Sequence, residues 1–393
     1  MEWQGTLQPL FWLLFVMFTL QIMLKKVKLP AILIYILVGI VISYTHIWPY
    51  QDGQINWLNG VSQFGLYYLM FLSGLEIDVS LLRFKRGSNR LNNPLVVALL
   101  IFLGTMALAF LIGLRIHQID PAVQTWMIML ILLTTSLGIV MPVLKDNGVI
   151  HSYYGQILLT SAILADLVTV IVLSVLSGSY QSGLQLRSAL VGILIPVFMI
   201  SFLVLTKVRS TVFWKKQIRE DSLAKLQGVL AIIALYGIFT DLSGSEPILG
   251  SFLAGLLLSN FMTSSQTQLK NHLELLGYGF LIPVFFVMVG YNFKLDEFLA
   301  NKQSWAWVPI LTAAAYVVKL VPMLCLGPML GFRKAIAGGF LLSSRLTLIV
   351  VAASIGTKLG VVPREVENAI LVVAIITSVF SPILFTLGQS EIA

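Results

Sequence analysis

Asp166 is the residue of this chain whose chemistry is hardest to explain as structure alone. It stands near the middle of an apolar run, Gln156 to Leu176, that is long enough to cross a bilayer. A carboxylate at membrane depth is costly, and such groups usually lie on an ion or proton path. A carboxyl group held there can bind a proton or a dehydrated cation, and each excludes the other.

Hydroxyl residues interrupt two other apolar runs at comparable depth. One run contains Thr134, Thr135 and Ser136, and the other contains Ser343 and Ser344. Hydroxyl and carbonyl oxygens are the ligands that hard cations need. Small and hydroxyl residues also allow close helix packing, and this alternative stays open for these residues taken alone.

Two cations, Lys319 and Arg345, lie deep in their own apolar runs. Burial favours the protonated form of Asp166, whereas a neighbouring cation favours its carboxylate, and together they can poise one acid for exchange. A salt bridge that only holds helices together is the structural alternative, although buried bridges add little net stability. Competition of a proton and a cation at one acid, with alternating exposure to two sides, would give antiport.

The composition places these groups in a membrane protein. Of 393 residues, 58% are hydrophobic and 11% are charged, against about 25% charged in soluble domains. The single cysteine excludes an internal disulfide and a cysteine-rich metal site. The net charge of +8 is interpreted as loop topology, with no nucleic-acid partner. No nucleophile–base constellation indicates an enzyme, and no cofactor is expected.

Thirteen apolar runs of helical length predict an all-α polytopic membrane protein. They are residues 7–24, 30–47, 58–75, 94–114, 124–144, 156–176, 188–206, 222–243, 246–263, 273–291, 304–328, 335–356 and 367–388. The loops after odd-numbered runs hold sixteen Lys and Arg residues, and those after even-numbered runs hold six. This asymmetry predicts a multi-pass protein of the cell membrane with its N-terminus outside and its C-terminus in the cytoplasm.

Similarity between the two halves of the chain indicates an internal repeat. Residues 31–43 resemble residues 247–259 at an offset of 216, and the same offset carries Gly74 onto Gly290. Seven spans, an odd number, separate the partners, so each repeated helix crosses the membrane in the opposite direction. Such an inverted-topology repeat is typical of secondary transporters. Chance similarity between Leu- and Gly-rich helices is the alternative.

The repeat predicts one transmembrane domain over residues 1–393, without a soluble regulatory domain. Repeat one covers about 7–176, a linker helix covers 188–206, and repeat two covers about 222–388.

The hydroxyl-rich runs form a repeated pair, since residues 132–140 resemble residues 341–350 at an offset of 209. Gly and Pro residues weaken both runs, which predicts two discontinuous helices. Matching interruptions in two repeats are the best sequence pointer to a transporter's binding site.

Several longer motifs carry a family resemblance when they are taken in order. They include GLYYLMFLSGLEID, TTSLGIVMPVLKDNG, GQILLTSAILADLVTVIVL, ILGSFLAGLLLSN and SSRLTLIVVAASIG. Together they resemble the monovalent cation:proton antiporters, in the bacterial cation:proton antiporter-2 branch with its NapA-type and KefC-type exchangers. The resemblance implies an NhaA-like antiporter fold in which the two discontinuous helices cross. It also implies a homodimer in membrane lipid, with one bundle as scaffold and another carrying the ion in an elevator-like movement.

The resemblance further implies exchange of Na⁺ or K⁺ for H⁺ and a role in pH homeostasis. Asp166 matches the ion-binding carboxylate, and Lys319 matches the membrane lysine. The residues themselves indicate Thr134, Thr135 and Ser136 as further ligands and Arg345 as a second compensating charge. Glu76 matches a recurrent family acid and, with Ser343 and Ser344, is a weaker candidate.

One departure from the family concerns stoichiometry. Many electrogenic members carry two adjacent acids where this chain has Ala165 and Asp166. The missing acid removes a proton carrier and a partner for Lys319, which favours electroneutral exchange. Lys319 is then predicted to interact with Asp166 itself or to be often neutral. Two alternatives stay open: a sodium-coupled symporter for an organic solute, with a similar inverted-repeat fold, and a membrane sensor or channel without an exchange cycle.

Overall fold

The computed structural model is helical over most of the residues that it describes. The described residues are 11–19, 31–45, 52–76, 93–182, 222–242, 247–259, 267–293 and 295–390. Within these ranges no residue lies in a β-strand. The predicted all-α class is confirmed.

The first half of the chain supplies the helices before residue 183. They are α1 (residues 11–19), α2 (Ala31–Thr45), α3 (Asp52–Glu76), α4 (Pro94–Ile119), α5 (Thr125–Leu133), α6 (Leu137–Asp146) and α7 (Tyr153–Ser182). The second half supplies α8 (Ser222–Leu242), α9 (Pro247–Ser259), α10 (Thr267–Leu276), a π-helical segment (Gly277–Leu281), α11 (Ile282–Asn292), α12 (Leu295–Ala300), α13 (Lys302–Cys325), α14 (Gly327–Leu330), α15 (Phe332–Leu342), α16 (Thr347–Lys358) and α17 (Arg364–Ser390).

These helices overlap twelve of the thirteen predicted spans, and the predicted linker helix 188–206 lies outside the described residues. Within the described ranges, six helices are long and apolar enough to cross a membrane, counting Thr125–Asp146 as one. The bent pair α15 and α16 would make a seventh. The polytopic membrane character is confirmed, whereas the count of thirteen and the orientation of the termini stay predictions.

The chain forms two compact units, and each takes one stretch from either half of the sequence. Unit 1 comprises Met1–Ile77 and Gly178–Asp296, and unit 2 comprises Asp78–Ser177 and Glu297–Ala393. All the predicted ion-site residues except Glu76 therefore belong to unit 2. The repeat boundaries predicted above stay a prediction.

Two of the helix crossings in unit 1 depend on glycines, which have no side chain to hold the backbones apart. At the crossing of α2 and α11, a Cβ on Gly39 would clash with the Val287 carbonyl oxygen. At the crossing of α3 and α9, a Cβ on Gly255 would clash with the Phe71 carbonyl oxygen. Small residues let the backbones of membrane helices approach closely, so these glycines set the crossing distance.

The two crossings are related by the offset of 216 residues noted in the sequence. That offset carries Gly39 onto Gly255 and Gly74 onto Gly290. Gly39 faces Gly290 at one crossing, and Gly74 and Gly255 lie at the other. At both, the clashing carbonyl belongs to the residue three positions before the opposing glycine. The same close crossing therefore occurs twice, with partners exchanged between the two halves of the chain.

Unit 2 contains two broken helices, one from each half of the chain. The first break separates α5 from α6 and the second separates α15 from α16, where the helix axis bends by 48°. Both interruptions fall where the hydroxyl clusters predicted them. Helix α13 packs against α4, α5, α15 and α17, so it contacts both broken helices and can present side chains to them.

Candidate ion-binding site

The two helix breaks contact each other directly. The backbone N–H of Ser136 donates to the Ser344 carbonyl oxygen at 2.8 Å. The Thr135 hydroxyl donates to the Leu342 carbonyl oxygen at 3.1 Å. A broken helix leaves backbone groups without intrahelical partners. Here the first break supplies the donors and the second supplies the acceptors, so the helices cross where both are interrupted.

Arg345 joins three segments from its position in the second break. Its Nη1 donates to the carbonyl oxygens of Ala315 and Ser343 at 2.9 and 3.1 Å. Its Nη2 donates to the Leu132 carbonyl oxygen at 2.7 Å. The side chain is fully buried, and its Nε has no hydrogen-bond partner among the described residues. These charged donors satisfy carbonyls of α5, α13 and the second break at once.

Lys319 reaches the same end of α5 from α13. Its Nζ donates to the Leu133 carbonyl oxygen at 2.9 Å, and the residue is buried. Lys319 and Arg345 therefore bind adjacent carbonyls, those of Leu133 and Leu132, in the last turn of α5. The carboxyl end of a helix carries partial negative charge, so it stabilises both cations.

Asp166 lies in α7 with 3% of its surface exposed. Its carboxylate attracts Lys319 electrostatically, whereas Arg345 repels Lys319. The side-chain count alone, one acid and two cations, predicts a surplus of positive charge. The carbonyl end of α5 offsets part of that surplus, which is how two buried cations can coexist with one carboxylate.

Ala165 occupies an apolar setting beside this charged cluster. It packs with Phe102 and Leu133, all three being buried. Met106 and Val168 pack at the edge of the same cluster. An acid at position 165 would therefore be desolvated. The apolar surroundings fit the residue that is present.

The predicted hydroxyl ligands are all buried. The hydroxyls of Thr134, Ser343 and Ser344 each donate to a carbonyl three or four residues earlier, at 2.6 to 2.8 Å. A hydroxyl that donates its proton keeps lone pairs with which it can coordinate a cation. These side chains can thus close the ends of the broken helices and still act as ligands.

Glu76 has its described partners within unit 1. It ends α3 and accepts a 3.4 Å hydrogen bond from the Tyr278 hydroxyl in the π-helical segment. Lys270 and Glu274, in the preceding helix α10, form an ion pair at 3.7 Å. No described contact joins Glu76 to Arg345 or Lys319.

Some of the residues that contact Lys319 and Arg345 could not be recognised from the sequence. The backbone carbonyls of Leu132, Leu133 and Ala315 hold the cations, and their side chains are ordinary apolar residues. Thr377 in α17 donates to the Val373 carbonyl at 2.9 Å and more weakly to that of Arg345 at 3.5 Å. A lone threonine in an apolar helix cannot be told from a packing residue without the fold.

Comparison with known proteins gives one consistent result. A family model described as "Sodium/hydrogen exchanger, transmembrane" matches residues 13–386. The "Putative Na(+)/H(+) antiporter YjbQ" of Bacillus subtilis (strain 168) is 34% identical over 387 residues, which is 95% of this chain and 61% of that protein. This chain thus spans about three fifths of that relative. The "Probable Na(+)/H(+) antiporter 3" of Methanocaldococcus jannaschii is 28% identical over 95% of this chain and 94% of its own length.

A solved structure confirms the type of fold. The sodium proton antiporter MjNhaP1 from Methanocaldococcus jannaschii, determined at pH 8, matches with a TM-score of 0.66. The match covers 99% of each chain at 14% sequence identity. At that identity the likeness concerns the fold alone, which is an all-α polytopic antiporter fold.

Proposed function

Because the chain belongs to the transmembrane sodium/hydrogen exchanger family, we propose that it is a secondary active antiporter exchanging Na⁺ or K⁺ for H⁺. The observation that carries this proposal is the buried Asp166, which belongs to the same unit as the two crossed helix breaks and as Lys319, bonded to the end of α5. A single carboxyl group in that position can bind a proton or a cation, but not both.

The exchange step follows from competition at Asp166. The carboxylate binds the cation, and oxygens of Thr134, Thr135 and Ser136 complete the shell. A proton arriving at Asp166 neutralises the carboxylate and releases the cation. Lys319 keeps its bond to the Leu133 carbonyl in both states, so it never lacks a partner while the carboxylate changes charge.

Alternating access is proposed to be of the elevator type. Asp166, Lys319, Arg345 and both helix breaks belong to unit 2, so a complete site can move with one body. The paired glycine crossings of unit 1 support the inverted repeat that underlies such movement, because the same contact occurs twice at the offset of 216 residues. Repeats over about 7–176 and 222–388, joined by 188–206 within one transmembrane domain, belong to the same proposal.

Electroneutral exchange follows from the number of acids. Asp166 with a bound cation and Asp166 with a bound proton carry the same charge. Position 165 holds a buried alanine and adds no second titrating group. One cation therefore leaves for each proton that enters, and the moving unit carries an unchanged charge in either direction.

The membrane contact, oligomeric state, orientation and physiological role of the exchanger are part of the same proposal. Exposed apolar side chains such as Phe15, Phe110 and Leu111 fit contact with membrane lipid. The homodimer, the cytoplasmic C-terminus and the role in pH homeostasis rest on the family resemblance and the loop charges. A sodium-coupled organic-solute symporter finds no support in the comparisons, which name exchangers and antiporters.

Proteoliposomes with an imposed pH gradient test the proposal. Adding Na⁺, Li⁺ or K⁺ outside vesicles that hold the wild-type chain should collapse the gradient with at least one of these ions. Asp166→Asn removes the titrating group at nearly constant size and should abolish the response. Asp146→Asn, at an exposed helix end, is the matched control and should respond like wild type. Retained exchange by a folded Asp166→Asn variant would refute the proposal.

A further inference from the structure

Helix α7 contains two buried threonines whose hydroxyls have no hydrogen-bond partner among the described residues. Thr160 is 1% exposed and Thr169 is 0% exposed. Ser161, on the same helix, shows the usual solution, since its hydroxyl donates to the Ile157 carbonyl at 2.8 Å. A buried hydroxyl without a partner costs free energy, and an apolar side chain of the same shape would avoid that cost.

Thr169 differs from Thr160 in its position around the helix axis. It follows Asp166 by three residues, so helix geometry places it about 60° from Asp166 and roughly 4.5 Å further along the axis. Thr160 precedes Asp166 by six residues and lies about 120° away and roughly 9 Å along the axis. Of these two threonines, only Thr169 is therefore placed to share a bound ion with the Asp166 carboxylate.

Thr169 also lies on the side of α7 that faces the first helix break. It follows Ala165 by four residues, and residues four apart are neighbours on one helix face. Ala165 packs against Leu133, whose carbonyl holds Lys319. Viewed along the axis of α7, Thr169 thus lies between Asp166 and Ala165, the residue that faces the break. It is about one turn further along the helix.

We propose that the Thr169 hydroxyl is a further ligand of the transported monovalent cation and helps to set its selectivity. This inference rests on the proposed exchange at Asp166. The hydroxyls of Thr134 and Ser344 already donate to helix carbonyls, whereas no acceptor among the described residues holds that of Thr169. Its proton can turn away from an arriving cation without breaking a hydrogen bond.

Because its hydroxyl has no partner among the described residues, Thr169 stabilises the cation-loaded and proton-loaded sites to different extents. Its oxygen gains a strong interaction only when a cation is present, so the hydroxyl stabilises the cation-loaded site more than the proton-loaded site. A ligand shifts an equilibrium only by its differential interaction with the two states. Thr169 therefore raises the affinity for the cation in its competition with the proton.

The test compares three variants in proteoliposomes. Thr169→Val removes the hydroxyl at constant shape, Thr169→Ser keeps it, and Thr160→Val removes the other unpartnered hydroxyl of α7. Thr169→Val should raise the half-maximal concentration of the preferred cation on the order of tenfold and change the ratio between Na⁺, Li⁺ and K⁺. Thr169→Ser should retain most of the wild-type affinity, and Thr160→Val should match wild type.

A second readout does not depend on transport. The cation should raise the melting temperature of the purified wild-type protein, because a ligand that binds only the folded state stabilises it. Thr169→Val should lose most of that rise, whereas Thr160→Val should keep it. Loss of the rise with an unchanged melting temperature in the absence of cation identifies a ligand and excludes a packing defect.

Two results would overturn the inference. One is a Thr169→Val variant whose half-maximal concentrations and ion order equal those of wild type. The other is a Thr160→Val variant with the same loss, because the effect would then belong to the packing of α7. Failure of the exchange proposal is a separate result: the wild-type chain would show no cation-induced proton flux, or Asp166→Asn would retain it.

Discussion

The backbone amide of Ser136 donates a 2.8 Å hydrogen bond to the carbonyl oxygen of Ser344. Each residue lies in the break of a different broken helix, and the two helices come from opposite halves of the chain. The bond joins the two breaks directly. Lys319 and Arg345 reinforce the junction by binding the last carbonyls of α5.

Lys319→Met should weaken exchange and move its pH profile upwards. Without this cation, protonation of Asp166 is favoured, so the transported ion displaces the proton only at higher pH. A neighbouring charge shifts such a midpoint by about 1 pH unit or more. Proton flux in proteoliposomes, measured from pH 6 to 9, checks this. Lys319→Arg keeps the charge and should keep the midpoint near that of wild type. If the pH profile of Lys319→Met equals that of wild type, Lys319 has no part in the exchange.

Arg345→Met should destabilise the fold more than it disturbs the pH profile. It removes the Arg345 donor from the buried carbonyls of Leu132, Ala315 and Ser343, of which those of Leu132 and Ser343 lie at the helix breaks. Each carbonyl left unsatisfied costs about 1–3 kcal/mol. Thermal unfolding in detergent measures the loss as a lower melting temperature. Arg345→Lys keeps the charge but lacks the planar guanidinium group that reaches several carbonyls. Its melting temperature should therefore lie between those of Arg345→Met and wild type. A wild-type melting temperature for Arg345→Met would contradict the bridging role.

The wild-type exchange rate should be independent of membrane potential. Asp166 carries equal charge with either ion, and the buried Ala165 adds no second acid. Vesicles clamped with valinomycin at zero and at an inside-negative potential should give equal initial rates of Na⁺-dependent proton flux. Ala165→Asp supplies the comparison, since a second carboxyl group beside Asp166 should make the rate depend on voltage. Acceleration of the wild-type rate by the potential would exclude one-for-one exchange.

Gly39→Ala and Gly255→Ala should both impair folding, and to a similar degree. In each case the added Cβ would clash with a backbone carbonyl across a helix crossing, and backbone cannot move aside as a flexible side chain can. Size-exclusion chromatography of the detergent-extracted protein measures the monodisperse fraction. Gly60→Ala, where an added Cβ meets nothing within 4 Å, is the control and should behave like wild type. Impairment by only one of the two substitutions would argue against equivalent crossings.

The helices and the breaks were predictable because a membrane span has strict requirements of length and composition. A membrane span needs about 20 apolar residues, so hydropathy alone marks it. The hydroxyl clusters at 134–136 and 343–344 stand out for the same reason, since polar groups are rare at that depth. The buried charges Asp166 and Lys319 could be named on the same ground.

The sequence by itself thus determined the helical membrane class, the two interruptions and the residues whose charge needs an explanation. Only the tertiary structure decided what those charges bind. Lys319 and Arg345 donate to the carbonyls of Leu133 and Leu132, and Thr169 has a buried hydroxyl that no group in the described part of the chain satisfies. Every residue has a carbonyl, and most helical hydroxyls bond to their own helix. Which of these groups remains available depends on where a helix ends and what crosses it, and that is a property of the packed chain.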